Sequence, residues 1–327
     1  MKILYINWID LLDDALYNTW FKLWFQSLDN SLSCLILTSQ EKQDSNYLFF
    51  LNRFFTFIFW LLLTILFTPI GLLTYSVWFI LFRKLFRQQP FRLSVSPKKS
   101  SLLLSEKSSL NSYTHDVNKL FQVLSINVCL LPETVSRINN LSLSHRRLES
   151  IGSLLNRTKS FNNLNSNNNS HLSNGNSNSE NDNTERDKKI KIIHDFVEKT
   201  DLDFLCMQEV WSIDTAKKLK NMLHDTFDYI LYDAGVNTFK SNKFIGFDSG
   251  LLIASKYPIV DANFSSFSVR VGSCSLTSKG LLTAKVFIGK HINGKDAIGY
   301  ISNTHLQAYP SNLYLYILYT KNFYLIS

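Results

Sequence analysis

Apolar positions fall into three regimes along the chain. In the first hundred residues they run together: Phe54 to Phe82 reads "FFTFIFWLLLTILFTPIGLLTYSVWFILF", 29 residues without a charge, long enough to enter a bilayer. As one straight helix this run measures ~43 Å, well beyond a ~30 Å hydrocarbon core, whereas the part before Pro69 reaches only ~22 Å. A re-entrant hairpin turning at "TPIG" or a kinked span is therefore predicted over 54–82, the hairpin first because it keeps both ends on one face. Upstream, Leu12, Leu16, Trp20 and Leu23 recur at helical spacing with Asp10, Asp13 and Asp14 on other faces. That pattern predicts an interfacial helix over about 9–27, with a buried core helix as the alternative.

The second regime is nearly free of apolar residues. Asn156 to Arg186 is mostly Asn and Ser, too polar to offset the entropy of ordering a chain, and is expected to be a disordered insertion. In the third regime, short apolar runs alternate with amphipathic stretches. "FQVLSINVCLL" (121–131) reads as a central strand and "LSLSHRRLESIGSLL" (141–155) as a helix. Ile190 to Lys199 reads as another helix, "FLCMQEVW" (204–211) as a buried strand, and Ser212 as the cap of a helix carrying Ala216, Leu219, Met222 and Leu223. Further strands are predicted at "YILYD" (229–233), "SGLLIAS" (249–255), "GLLTAKVFIG" (280–289) and "AIGYISNTHL" (297–306). Long β runs mixed with helices imply a layered α/β fold.

Charge refines this picture. The chain of 327 residues has a formal charge of +8, but no Asp or Glu lies between Asp44 and Glu106, where Arg53, Arg83, Lys84, Arg87, Arg92, Lys98 and Lys99 gather. Basic residues beside an apolar run suit an anionic phospholipid membrane and a cytoplasmic face. Nucleic acid is disfavoured, because its binding would need the charge beside the catalytic strands. The four cysteines are far apart and form no C-x-x-C pair, which reads as reduced thiols in place of a disulfide framework or zinc site. Cys34, near the apolar run, is either an acylation site or a plain thiol.

Three polar residues interrupt apolar strands: Asn127 in "SINV", Glu209 in "CMQEV" and His305 in "NTHLQA". Each has an unremarkable reading, as a buried amide, a solvated strand end and a core histidine. For Glu209 a structural salt bridge, a catalytic base and a metal ligand also stand.

The order of these segments resembles the DNase I-like endonuclease/exonuclease/phosphatase superfamily. More narrowly, "NVCLLPETVSRINNL", "LDFLCMQEVW", "YILYDAGV", "SGLLIASKYPIVDA", "SKG" and "GYISNTHLQA", with the N-terminal "LFTPIGLL", resemble the membrane-anchored neutral sphingomyelinases. The resemblance implies a two-sheet α/β sandwich over 119–312, preceded by membrane-associated helices over 1–100 and followed by an unmatched tail at 313–327. It implies Mg²⁺-dependent hydrolysis of sphingomyelin to ceramide and phosphocholine at the cytoplasmic face of a plasma or Golgi membrane. Glu209 is then a Mg²⁺ ligand, Asn127 helps hold the metal or the attacking water, and His305 stabilises charge on the phosphodiester. Lys279 adds positive charge near the phosphate or organises its loop, a solvated lysine being the alternative. Mg²⁺ takes hard oxygen ligands, often one or two carboxylates with several waters, which one glutamate satisfies.

Two departures matter. "VGSCSLTSKG" holds no carboxylate before Lys279, where relatives carry one. The Gly-Asp-x-Asn and Asp-His motifs that the resemblance implies are not in the sequence either. The expectation is thus an incomplete catalytic domain with little or no turnover. Another phosphodiesterase, phosphatase or nuclease of the superfamily and a non-catalytic membrane-binding fragment are the competing functions.

Overall fold

The computed structural model describes residues 8–44, 46–86, 89–98, 120–155, 201–235, 248–268, 274, 277–291 and 294–306. The Asn/Ser-rich insertion, the helix expected over Ile190 to Lys199, the tail 313–327, Arg87 and Lys99 lie outside the described residues. Strands β1 (Arg92–Val95), β2 (Val123–Leu130), β3 (Phe204–Val210), β4 (Tyr229–Tyr232) and β5 (Leu252–Ser255) form one sheet in the order β1-β4-β5-β3-β2. Strands β6 (Ile259–Ser266), β7 (Gly280–Lys290) and β8 (Asp296–Thr304) form a second, in chain order.

Side chains of successive strand residues point to opposite faces, and here both faces of the larger sheet are covered. Phe204, Cys206, Tyr229, Leu231 and Ile253 pack against Phe264, Leu282, Ala284, Val286 and Ile301 of the second sheet. Leu205, Met207, Ile230, Leu252 and Ala254 pack under Leu148, Leu155, Ala216, Leu219 and Leu223. This second layer belongs to helices Ser144–Leu155 and Ile213–Leu223, the latter capped by Ser212, whose Oγ accepts from the Thr215 amide. The continuous apolar run of β3 follows from its burial on two sides. The expected two-sheet α/β sandwich is the observed architecture. β2 is a correction: it parallels β3 but stands at the outer position among the described strands. β1 and β6 were not predicted; β1 lies in the stretch read as a basic flank, and β6 is interrupted by Asp261, Asn263 and two serines.

The N-terminal helices are α1 (Trp8–Tyr17), α2 (Trp20–Leu35), α3 (Ser39–Asp44) and α4 (Tyr47–Tyr75). The predicted hairpin is not formed. α4 passes through Pro69 without a turn and continues from Ser76 to Arg83 in a wider π-helical winding. "TPIG" instead marks where α2 and α4 touch. A Cβ on Gly71 would fall 2.5 Å from the Trp24 Cβ, and the Trp24 indole N–H donates to Thr68 Oγ1 at 3.0 Å. The single interfacial helix expected over 9–27 is likewise two helices, broken at Asn18 and Thr19.

The acidic side of α1 faces the sheet. Asp13 and Asp233 are buried with Arg83 and Arg92. Arg83 donates to Asp13 Oδ1 and Oδ2 at 3.0 Å and to Asp233 Oδ2 at 2.7 Å. Arg92 pairs with Asp13, with Asp14 and, at 3.1 Å, with Asp233. Two of the basic residues assigned to a lipid-facing flank are therefore consumed inside the protein, because burial leaves each guanidinium needing a carboxylate.

At its other end α4 is fastened as well. Arg53 donates to the Cys34 and Ser33 carbonyls at 2.7 Å and to the Ile36 carbonyl at 2.6 Å, closing the C-terminus of α2. Next to it, Glu41 accepts from Arg137 at 2.6 Å. Arg137 belongs to α5 (Glu133–Ile138), the helix that follows β2; the helices Ser144–Leu155 and Ile213–Leu223 are α6 and α7. Both ends of the apolar helix thus bond to one domain, through Arg83 to Asp233 at one end and through Arg53 and Glu41 to Arg137 at the other. The segment 47–80 is long and apolar enough to cross a membrane and is largely unburied. Phe54, Phe55, Phe59, Leu62, Leu66 and Leu73 are all exposed on it.

Removing one partner from a buried ion cluster costs about 3–5 kcal/mol. Asp13→Ala or Asp233→Ala is expected to lower the melting temperature in detergent by roughly 6–20 °C, at about 2–4 °C per kcal/mol. Lys256→Ala, which breaks an ion pair to the exposed Asp201, is expected to change stability by less than about 1 kcal/mol. Equal, small shifts for both would show that the buried cluster does not hold the helices to the sheet.

Candidate active site

β2 and β3 run parallel, pairing Asn127 with Gln208 before their register shifts towards Leu130 and Val210. The shift accompanies two left-handed residues facing each other, Cys129 at φ +50° and Glu209 at φ +64°. Each costs an L-residue about 1–2 kcal/mol, and such strain collects where side chains must be aimed. Gly250, opposite Glu209 at φ +68°, admits the bend: a Cβ there would lie 3.2 Å from the Trp211 ring and 3.3 Å from the Glu209 Cα.

The bend gathers residues from two strands and from the flanks of two others. Asn127 Nδ2 donates to Glu209 Oε1 at 2.7 Å. His305, just past β8, places Nε2 3.4 Å from the same oxygen. Lys279, just before β7, has Nζ 3.3 Å from His305 Nε2 and donates to the Leu306 carbonyl at 3.0 Å. Asn127, Glu209, His305 and Lys279 therefore form one continuous cluster spanning both sheets. Lys279 is 4% exposed, so it is not a solvated lysine. Asn127 turns its N–H to the carboxylate, while its Oδ1 accepts the Cys129 amide at 3.1 Å. It orients Glu209 here, and its oxygen is already engaged.

Electrostatics fix the histidine's state. Burial pushes His305 down to about 4, helped by the Lys279 ammonium and opposed by Glu209. An ammonium only donates, so Nε2 must accept and the ring proton sits on Nδ1, an atom buried without a partner. Folding thus favours the neutral ring. Its contribution to stability is intact above about pH 6.5 and is lost as pH falls towards 4, where the unfolded chain binds the extra proton.

Two residues of the site were not foreseen. The Cys129 thiol is pushed up to about 11 by burial and by Glu209, to which it hydrogen-bonds. The indole of Trp211 packs 6.0 Å from the His305 ring. Both stand within the quoted motifs, but nothing in their composition separates them from core residues.

Comparison with known proteins accords with this arrangement. Residues 163–314 match the Endonuclease/Exonuclease/phosphatase family. Sphingomyelin phosphodiesterase 3 of Homo sapiens is 44% identical over 109 residues, which is 33% of this chain and 17% of that protein. Sphingomyelin phosphodiesterase 5 of Mus musculus is 30% identical over 191 residues, 58% and 37% of the two chains. Together these matches support a neutral sphingomyelinase of the DNase I-like superfamily.

Sphingomyelin phosphodiesterase 5 of Danio rerio is 28% identical over 348 residues, 87% of this chain and 61% of that one. The matches span less than two thirds of each of these relatives. Among solved structures, a β-hairpin deletion mutant of Staphylococcus aureus beta toxin aligns with TM-score 0.36 at 18% identity, over 59% of this chain and 54% of that one. A double mutant of the same toxin, with bound magnesium ions, aligns with TM-score 0.34 at 18% identity, over 58% and 50%.

The donor set of this site suits a hard, hydrated cation. Glu209 offers carboxylate oxygens that are partly open to solvent, and among the described residues no three His, Cys, Asp or Glu side chains are grouped for a metal. A closed zinc-type site is not built, while one carboxylate with several waters is within the habit of Mg²⁺.

Lys279→Met removes the charge that disfavours the imidazolium. The His305 titration midpoint is expected to rise from about 4 but to stay below the ordinary histidine value of about 6.5, because burial, the larger cause, is unchanged; the ring signals in NMR read it. A midpoint that stays put would show that Lys279 does not act on the ring.

Proposed function

We propose that the chain acts at a membrane surface as a sphingomyelin phosphodiesterase, cleaving the headgroup phosphodiester with the help of Mg²⁺ held by Glu209. The observation that carries this reading is where the apolar helices are bolted. α5 begins just after β2 and α7 just after β3, so both start at the rim that presents Asn127 and Glu209. α2 touches both starts. Asp29 accepts the Glu133 and Thr134 amides at 2.9 and 3.0 Å, standing in for a cap that Pro132 lacks. Lys22 pairs with Asp214 at 3.0 Å, and Phe21 packs with Ile213. The exposed faces of α2 and α4, with Trp20, Leu23, Phe55 and Leu62, thus accompany the site end of the sheet, which supports a lipid headgroup as substrate. With both ends of α4 tied to the domain, the helix lies along the interface, with the site on the cytoplasmic side of a plasma or Golgi membrane.

When bound, Mg²⁺ supplies a charge that polarises the phosphoryl oxygens. Glu209 holds it, and Asn127 and the Cys129 thiol keep that carboxylate turned outward. His305 and Lys279 present a neutral donor–acceptor ring and a positive charge to the phosphodiester, offsetting charge that grows as water attacks. The acid–base residues of the Gly-Asp-x-Asn and Asp-His motifs are not in the sequence. General acid–base catalysis contributes ~10²- to 10⁴-fold, so turnover by this chain is expected to be low. The burial of Arg83 and Arg92 leaves less basic surface for a fragment that merely binds anionic lipid.

The test pairs liposome flotation with phosphocholine release from sphingomyelin vesicles. Slow release that needs Mg²⁺ and falls to background in Glu209→Gln is the expected outcome. Release indifferent to both would overturn the reading, and flotation with no release at all would favour the non-catalytic alternative.

A further inference from the structure

Glu209 and His305 belong to different sheets, and the contact between those sheets is mainly apolar, which sets no register by itself. One buried amide crosses the gap. Asn303, in β8 and 2% exposed, donates through Nδ2 to the Met207 carbonyl at 2.7 Å and the Leu252 carbonyl at 3.0 Å. Its Oδ1 accepts from Gln208 Nε2 at 2.6 Å, and the same Gln208 amide reaches Ser125 Oγ in β2 at 3.1 Å. Met207 and Leu252 are the last paired position of β3 and β5. Beyond it the strands part around Glu209 and rejoin where the Val210 amide donates to the Gly250 carbonyl at 3.0 Å. Asn303 fills the opening.

We propose that Gln208 and Asn303 are positioning residues of the metal carboxylate, forming a joint that ties β2, β3, β5 and β8 together directly beneath the site. The proposal rests on the reading of Glu209 as a metal ligand. Gln208 immediately precedes Glu209, and Asn303 stands two residues before His305. The side chains of both bond elsewhere, Gln208 to Ser125 and Asn303, and Asn303 to the Met207 and Leu252 carbonyls. Each side chain's bonds are directional, so together they fix how far β8 can slide along β3, and with it the spacing between Glu209 Oε1 and His305 Nε2. Carbonyls left without their donor would also let the strained turn at Glu209 relax. Outer-shell groups of this kind typically contribute 10- to 100-fold in metal affinity.

The test uses the full chain in detergent micelles, with Mn²⁺ alone as a spin probe in an EPR titration. Glu209→Gln is expected to abolish binding. Gln208→Leu and Asn303→Ser are expected to weaken it about 10- to 100-fold, with faster deuterium exchange at the Val210 and Trp211 amides. Asn303→Ser leaves two buried carbonyls bare, so Gln208→Leu, which preserves both, carries the test if the serine variant does not fold. A merely structural role would lower the melting temperature and leave Mn²⁺ affinity within twofold of wild type, and that result overturns the proposal. Should the wild type bind no Mn²⁺, the metal reading itself fails. The joint is then judged on exchange alone: acceleration at Val210 and Trp211 in Gln208→Leu sustains it, and unchanged exchange overturns it.

Discussion

The arrangement of the protein depends on a buried cluster of two guanidinium groups and their carboxylates, Arg83 and Arg92 with Asp13 and Asp233. Taking such charges out of water is costly, and that cost is offset only if every partner arrives in position. Asp13 comes from α1, Arg83 from the end of the apolar helix, Arg92 from β1 and Asp233 from the end of β4. Three regions distant in sequence, around Asp13, Arg83 to Arg92 and Asp233, are thereby forced to meet at one point. β1 can pair with β4 because Arg92 is held there. The apolar helix is set alongside the domain, not away from it, because Arg83 is held there too.

This inverts the usual logic of an amphipathic helix. In α1 the acidic side is the packed one: Asp13 is fully buried and Asp14 binds Arg92 and Lys217, while Leu11 and Leu12 remain exposed. In α2 the packed side is aromatic, through Phe21, and Trp20 and Leu23 stay outside. A segment that offers leucine to its surroundings and hides aspartate is organised for an apolar environment on its outer side. The same helices reach the beginnings of α5 and α7, so their exposed apolar surface and the site share one end of the sheet. Site and surface are related through short hydrogen bonds to backbone amides, with no flexible linker between them.

Within the site, conformational strain and polar satisfaction act together. Glu209 and Cys129 adopt left-handed backbone, Gly250 gives them room, and Asn127 closes the bend by bonding both the carboxylate and the Cys129 amide. The result is a carboxylate aimed at the rim with one imidazole beside it, held neutral by its burial and, in addition, by the Lys279 ammonium. Such a group is suited to gripping a hydrated cation, since the Asn127 amide and the Cys129 thiol that donate to it fix its orientation without neutralising its charge.

Sequence alone determined the parts governed by local rules. The apolar run of 54–82, the capped helix after Ser212, the doubly buried strand β3 and the motif residues Asn127, Glu209 and His305 are legible because periodicity, capping and short motifs are properties of neighbouring residues. Tertiary structure decided the rest. It turned Arg83 and Arg92 from an expected lipid-binding flank into a buried lock, drew β1 out of that flank, and carried the helix through Pro69. It also recruited Gln208 and Asn303 into a joint between sheets. Each of those outcomes depends on a partner at least several tens of residues away, and the free energy of a buried charge or a bare carbonyl is fixed by what stands opposite it, not by what stands beside it in the chain.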